Sequence, residues 1–170
     1  FSGSDKLYLS PEQKLTGDKL GRFKDCEKIL IAVITAGNCM EELIAERRER
    51  DPLAGYVMDT IGGYMVEIMS EEFWKAMKNK FQASNYNTTS FLSPGNTGFS
   101  LSEQRTIFDY LNPEKIGVTL SDSFLMTPIK SLSLLMGIGK NIDQAERAHN
   151  CQECDLKDCF LNNIVQGMKV

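Results

Sequence analysis

Long apolar runs are missing from this 170-residue chain: none reaches the roughly 18 residues that a bilayer-crossing helix needs. A basic excess is missing too. Nineteen Lys and Arg stand against 23 Asp and Glu, a net charge of −4, so there is no clustered positive field for a phosphate backbone and nucleic acid is not an expected partner. The densest basic stretch, Arg47-Arg48-Glu49-Arg50, is broken by an acid and fits the solvated end of a helix. Histidine is nearly absent. The single one, His149, sits beside a cysteine cluster, which leaves no second imidazole to build a nucleophile triad elsewhere. Phe1-Ser2-Gly3-Ser4-Asp5 has neither a basic start nor an apolar signal core. The cysteine count of five is odd, unlike the even framework of small secreted domains. These absences predict a cytoplasmic protein away from the membrane.

What is present suits one globular unit: 42% hydrophobic and 25% charged residues over a domain-sized length. No repeat or low-complexity linker forces a boundary. The chain divides by character into residues 1–27, an extension with a short helix, a core of 28–140, and a Cys-rich tail of 141–170. Helix starts are well marked. Ser10-Pro11-Glu12-Gln13 offers an N-cap, a proline in the first position and a capping-box glutamine. Asn38-Cys39-Met40-Glu41 and Ser100-Leu101-Ser102-Glu103 repeat the logic, and Asp51-Pro52 opens the longest helix, residues 52–80. There Ala54, Val57, Met58, Ile61, Met65, Ile68 and Met69 follow the helical period and predict its buried face. Gly62 and Gly63 inside it favour close packing; the sharper alternative is approach of a ligand, since Asp59, Gly63 and Glu67 share one side at four-residue spacing. Strands are expected over Lys28–Thr35, apolar enough to be covered on both faces, over 124–126, and over 131–138. Helices of unequal length between scattered strands predict a compact α+β domain with a twisted, largely antiparallel sheet.

Two segments carry a pattern. Ser93-Pro94-Gly95-Asn96-Thr97-Gly98-Phe99 precedes the helix signal of Leu101-Ser102-Glu103-Gln104, and Pro128-Ile129-Lys130-Ser131-Leu132-Ser133 leads into a glycine-ended strand. With Ile116-Gly117-Val118-Thr119-Leu120 between them, and Ile34-Thr35-Ala36-Gly37, Glu41, Asp59 and Glu67 upstream, this order resembles the activation domain of cobalamin-dependent methionine synthase and its stand-alone relatives, over about 110 residues. The resemblance implies an S-adenosylmethionine site at Asp59, Glu67, Ser93, Pro94, Gly95, Asn96, Lys130 and Ser131. It also implies a corrinoid-binding protein or methyltransferase as partner, cobalamin met only through that partner, and an electron donor in the reactivation of oxidised cobalt. The family's arginine falls on Phe91, its tyrosine on Asn96, and an acid of the long helix on Gly63. A carboxylate ligand prefers a guanidinium fork, and Lys130, the nearest cation, is only a point charge. Weak or absent S-adenosylmethionine binding is therefore expected.

His149, Cys151, Cys154 and Cys159 gather one imidazole and three thiols within eleven residues. A C-x-x-C pair bites one metal, and four N/S ligands complete a zinc site. The same thiols can hold an iron–sulfur cluster. Bare reduced thiols are the plainer alternative. A small metal- or cluster-binding redox protein is accordingly the second functional reading.

Overall fold

The computed structural model describes residues 5–149, and the fold is mixed α+β with antiparallel pairing in every sheet. A hairpin of β1 (Lys6–Tyr8) and β2 (Lys14–Thr16) comes first. Ser10-Pro11-Glu12-Gln13 is its turn and not the expected helix start. Ser10 Oγ does accept from the Gln13 amide at 3.1 Å, as a cap would. The Leu9 amide, however, donates to the Gln13 carbonyl at 2.8 Å and folds the chain back. Leu15, alternating with polar neighbours and fully buried, then favours strand over helix. A 3-10 helix at Asp18–Phe23 follows and buries Leu20 and Phe23.

Next come β3 (Lys28–Thr35), α1 (Asn38–Arg50), α2 (Pro52–Gln82), β4 (Asn87–Thr88), α3 (Gln104–Leu111), β5 (Thr119–Leu120), β6 (Met126–Thr127) and β7 (Ser131–Gly139). The Asp51 cap is as expected: its side chain accepts from the Ala54 amide at 3.1 Å. Ser100 caps a 3-10 turn, Leu101–Glu103, that runs into α3. The strand expected at 124–126 begins only at Met126. Phe124 has φ 61 and belongs to the β5–β6 turn, which the Ser121 hydroxyl closes by accepting from the Leu125 amide.

The main sheet has the order β3-β7-β4. This corrects the reading of β3 as a strand covered on both faces: it is an edge strand, and its apolar residues are only half-buried. The covered strand is β7. Its Leu135 joins Leu7, Leu15, Leu20, Phe23, Phe99 and Ile107 in one cluster. Leu134, Met136 and Ile138 join Trp74, Phe91 and Ala148 in the other, under α2. Residues 5–27 and 142–148 thus both pack onto the central strand.

α2 corrects a second expectation. Its apolar stripe does not face the core as a whole; Val57, Ile61, Met65 and Ile68 are exposed and Ala54, Met58 and Met69 only half-buried, while Gly55, Gly62, Ser70 and Trp74 are buried. Small residues win that face because the neighbours are close. A Cβ at Gly55 would lie 2.6 Å from Arg48 Cα, and one at Gly62 would lie 3.1 Å from Lys130 Cε. Gly63 has nothing within 4 Å.

The two glycines therefore predict opposite outcomes in urea unfolding. Gly55→Ala, forced against α1 backbone, should lose about 1–3 kcal/mol. Gly63→Ala, with open space and better helix propensity, should gain about 0.5–1 kcal/mol.

Candidate functional site

The candidate ligand residues fall in two places. The first is the middle of α2. Lys130 enters from the turn before β7, its stem against Gly62 and its ammonium 2.9 Å from Asp59 Oδ1. Its side chain is only 12% exposed, so the nearby carboxylate is what makes its burial affordable. Arg48 stands 4.0 Å from the other Asp59 oxygen. The turn itself is fixed by Glu41, whose carboxylate accepts from the amides of Ile129 and Lys130. Ser131, buried, lies 2.8 Å from the Thr35 hydroxyl and donates to the Pro128 carbonyl at 2.7 Å. Lys130 is therefore held toward α2 and committed to Asp59.

Two turns along α2, Glu67 Oε2 lies 3.2 Å from His149 Nε2, and Ser70 Oγ lies 3.3 Å from the same nitrogen. The Phe91 ring meets the imidazole edge-on at 6.1 Å between centroids. His149 arrives on a strap stitched between β4 and α2. The Asn87 amide side chain donates to the Ile142 carbonyl, and the Ala145 amide to Thr88. The Phe91 amide donates to Ala148, whose own amide donates to Glu71 Oε2. The hydrogen bond to Glu67 raises the His149 pKa above its ordinary 6.5, against burial and with help from the charges of Glu67 and Glu71. The same bond lowers Glu67 below 4.5.

The second place is an open groove of about 750 Å³ between the N-terminal hairpin and residues 95–101. Gly95 and Gly98 line it with φ 92 and 74, conformations that favour glycine. Asn96 is spent on the turn: its side-chain oxygen accepts from the Ser93 amide at 2.8 Å and its own amide donates back to Ser93 at 3.0 Å. The buried Ser93 hydroxyl has no hydrogen-bond partner among the described residues. Asp5, Lys6, Thr16, Gly17 and Asp18 form the opposite wall, and Glu103 ties the two walls together by accepting from the Thr16 amide and hydroxyl at 3.0 and 2.6 Å. These wall residues were not singled out from sequence, because nothing local in Thr16-Gly17-Asp18 announces a neighbour eighty residues away. None of Asp59, Glu67, Lys130 and Ser131 lines this groove.

Phe91, where the resembling family has its arginine, is 4% exposed and packs in the core 6.2 Å from the Phe73 ring. Of the cysteine cluster, Cys151, Cys154 and Cys159 lie outside the described residues. His149, the one described member of that cluster, turns Nε2 to Glu67 and Ser70. Cys26 is half-buried, its thiol pushed up to about 11 by burial and by the Asp25 charge, and Cys39 is exposed. Among the described residues no group of three His, Cys, Asp or Glu could hold a metal ion, and no helix is long and apolar enough to cross a membrane.

The Glu67–His149 contact makes the strap pH-sensitive. His149, raised in the fold, stabilises it below pH 6.5 and loses that contribution as pH climbs through its folded pKa. Glu67, lowered, contributes above pH 4.5 and loses it as pH falls. Glu67→Gln should move the single histidine's NMR titration downward. It should also speed amide exchange at Ala145 and Ala148 more at pH 6 than at pH 9.

The chain matches no protein-family model and no curated protein.

Proposed function

We propose that this chain is a cytoplasmic accessory protein of corrinoid-dependent methyl transfer, working by docking on a corrinoid-binding protein, with S-adenosylmethionine a weak ligand at most. The reading starts from the order of segments that resembles the methionine synthase activation domain. The observation that carries its particular form is the burial of Phe91 in the core, at the position of the family's carboxylate-binding arginine. Lys130 does not make up the loss, since its ammonium is held by Asp59.

The groove beside Pro94-Gly95 has the volume of a small-molecule site. Its acids, Asp5 and Asp18, suit a cation such as a sulfonium or an ammonium, while among the described residues no arginine lines it and Lys6 is its one basic residue. An adenosyl ligand would find room and partial charge matching there but no fork for its carboxylate. In this reading the protein's contribution is to cover and orient a partner's corrinoid, and the cofactor carries the chemistry.

Titration calorimetry of the full chain with S-adenosylmethionine, and with S-adenosylhomocysteine for comparison, should show no saturation below about millimolar ligand. Sedimentation with a cobalamin-loaded corrinoid-binding protein should show a complex. Micromolar S-adenosylmethionine binding would replace the weak-ligand part of the proposal, and no complex with the corrinoid protein would remove its docking part.

A further inference from the structure

After β7 the chain crosses back with neither helix nor strand, and residues 142–149 close the outer edge of β4. The Thr89 amide donates to the Gly137 carbonyl of β7, so the peptide groups of Thr88 point the other way, to the strap. There the Thr88 amide donates to Gln144 Oε1 at 3.1 Å. The Thr88 carbonyl accepts from the Ala145 amide at 2.9 Å and from Gln144 Nε2 at 3.2 Å. Three residues on, the Phe91 amide donates to the Ala148 carbonyl at 2.6 Å. Both sides advance by three, so the strap runs parallel to 88–91. The Gln144 side-chain amide takes the place of a neighbouring strand's peptide group.

Little apolar surface holds this strap down. It lays Ala145 and Ala148 on the Trp74–Phe91 cluster, while Asp143, Glu146 and Arg147 are exposed. Its ties to α2 are long ones. Lys78 Nζ lies 3.4 Å from the Ala145 carbonyl, the Ala148 amide 3.3 Å from Glu71 Oε2, and Gln82 Nε2 3.5 Å from Gln144 Oε1. A segment with few buried apolar contacts and exposed hydrogen bonds opens locally, at a fraction of the global unfolding free energy.

We propose that the strap is an intramolecular stand-in for an extended peptide. It lifts from β4 and α2 as one unit while the sheet stays folded, and the edge it frees takes a peptide strand of the same chemistry. Such a peptide bonds through its backbone to Thr88 and Phe91 and lays two small side chains, three residues apart, over Trp74 and Phe91. Edge docking of this kind draws affinity from the main chain and specificity from the side-chain seats. The Ala148 seat is fully buried, so it rejects anything much larger than a methyl group. The strap holds the edge against free peptides because its tether gives it a high effective concentration.

Amide exchange of the full chain, at one fixed pH, tests the opening. Phe91, Ala145 and Ala148 should exchange together and about 100-fold faster than Leu135, whose amide bonds to Leu92 away from the strap. Gln144→Ala should speed those three roughly tenfold further and leave Leu135 unchanged. A fluorescently labelled peptide of residues 140–149 tests the docking. It should bind the Gln144→Ala chain saturably and the wild type about tenfold more weakly, since the open fraction scales the affinity. The same peptide carrying Ala148→Asp should not bind. Exchange of the three strap amides at the Leu135 rate overturns the proposal, as does equal acceleration of all four by Gln144→Ala. Opening without peptide binding overturns it too, and so does equal binding of the Ala148→Asp peptide.

Discussion

Everything else in the fold hangs on the burial of β7. Its nine residues lie in the middle of the main sheet, hydrogen-bonded to β3 along one side and to β4 and Leu92 along the other. Leu135 and the Leu134, Met136, Ile138 set point to opposite sides and anchor separate clusters. A strand buried on both faces must have its backbone groups satisfied on both edges. This is why the short β4 and the isolated Leu92 pairing matter more than their length suggests. The Gly137 amide is met by the Thr89 hydroxyl at 2.9 Å, where Cys26, Phe23 and Thr89 leave no room for a Cβ. The turn before the strand carries Lys130 to α2, and the strap after it carries His149 to the same helix. One strand therefore places two of the basic groups that α2 receives, Arg48 of α1 being another.

Where the sequence reading succeeded, local chemistry was sufficient. Asp51-Pro52 is a cap followed by a residue that cannot donate, so the start of α2 was legible to the residue. The β-branched run of β3 and the glycine-ended run of β7 likewise stand at the positions expected. It failed at Ser10-Pro11-Glu12-Gln13, where the same cap chemistry serves a hairpin turn. It failed again on which strand is central, since strand order depends on partners distant in sequence. The α2 stripe is the most instructive difference. Periodic apolar residues mark a face that gains by leaving water, and say nothing of what removes it. Here the core took the small residues instead, because α1 and Lys130 come too near for side chains.

The candidate site was legible in part. Asp59 and Lys130 do meet, and Gly95 and Asn96 do border a groove. That these are separate places could not be read from spacing, because Phe91 and Leu92 send neighbouring side chains into different clusters. The pairing of Glu67 with His149 was equally hidden: the histidine stood next to thiols in sequence and next to a carboxylate in space.

The position of β3 at the sheet edge has a consequence for synthesis. Its first partner, Ser131, is 96 residues from Thr35. At about 5–20 residues per second on the ribosome, β3 waits roughly 5–20 s before β7 exists to pair with it. During that time an eight-residue strand with five Ile, Leu and Val residues has both backbone edges open, the kind of segment that recruits strands from other chains. Lys28 at one end is its only charge. The newborn chain therefore depends on what shelters β3, a ribosome-bound chaperone or its own N-terminal hairpin, more than the finished protein does.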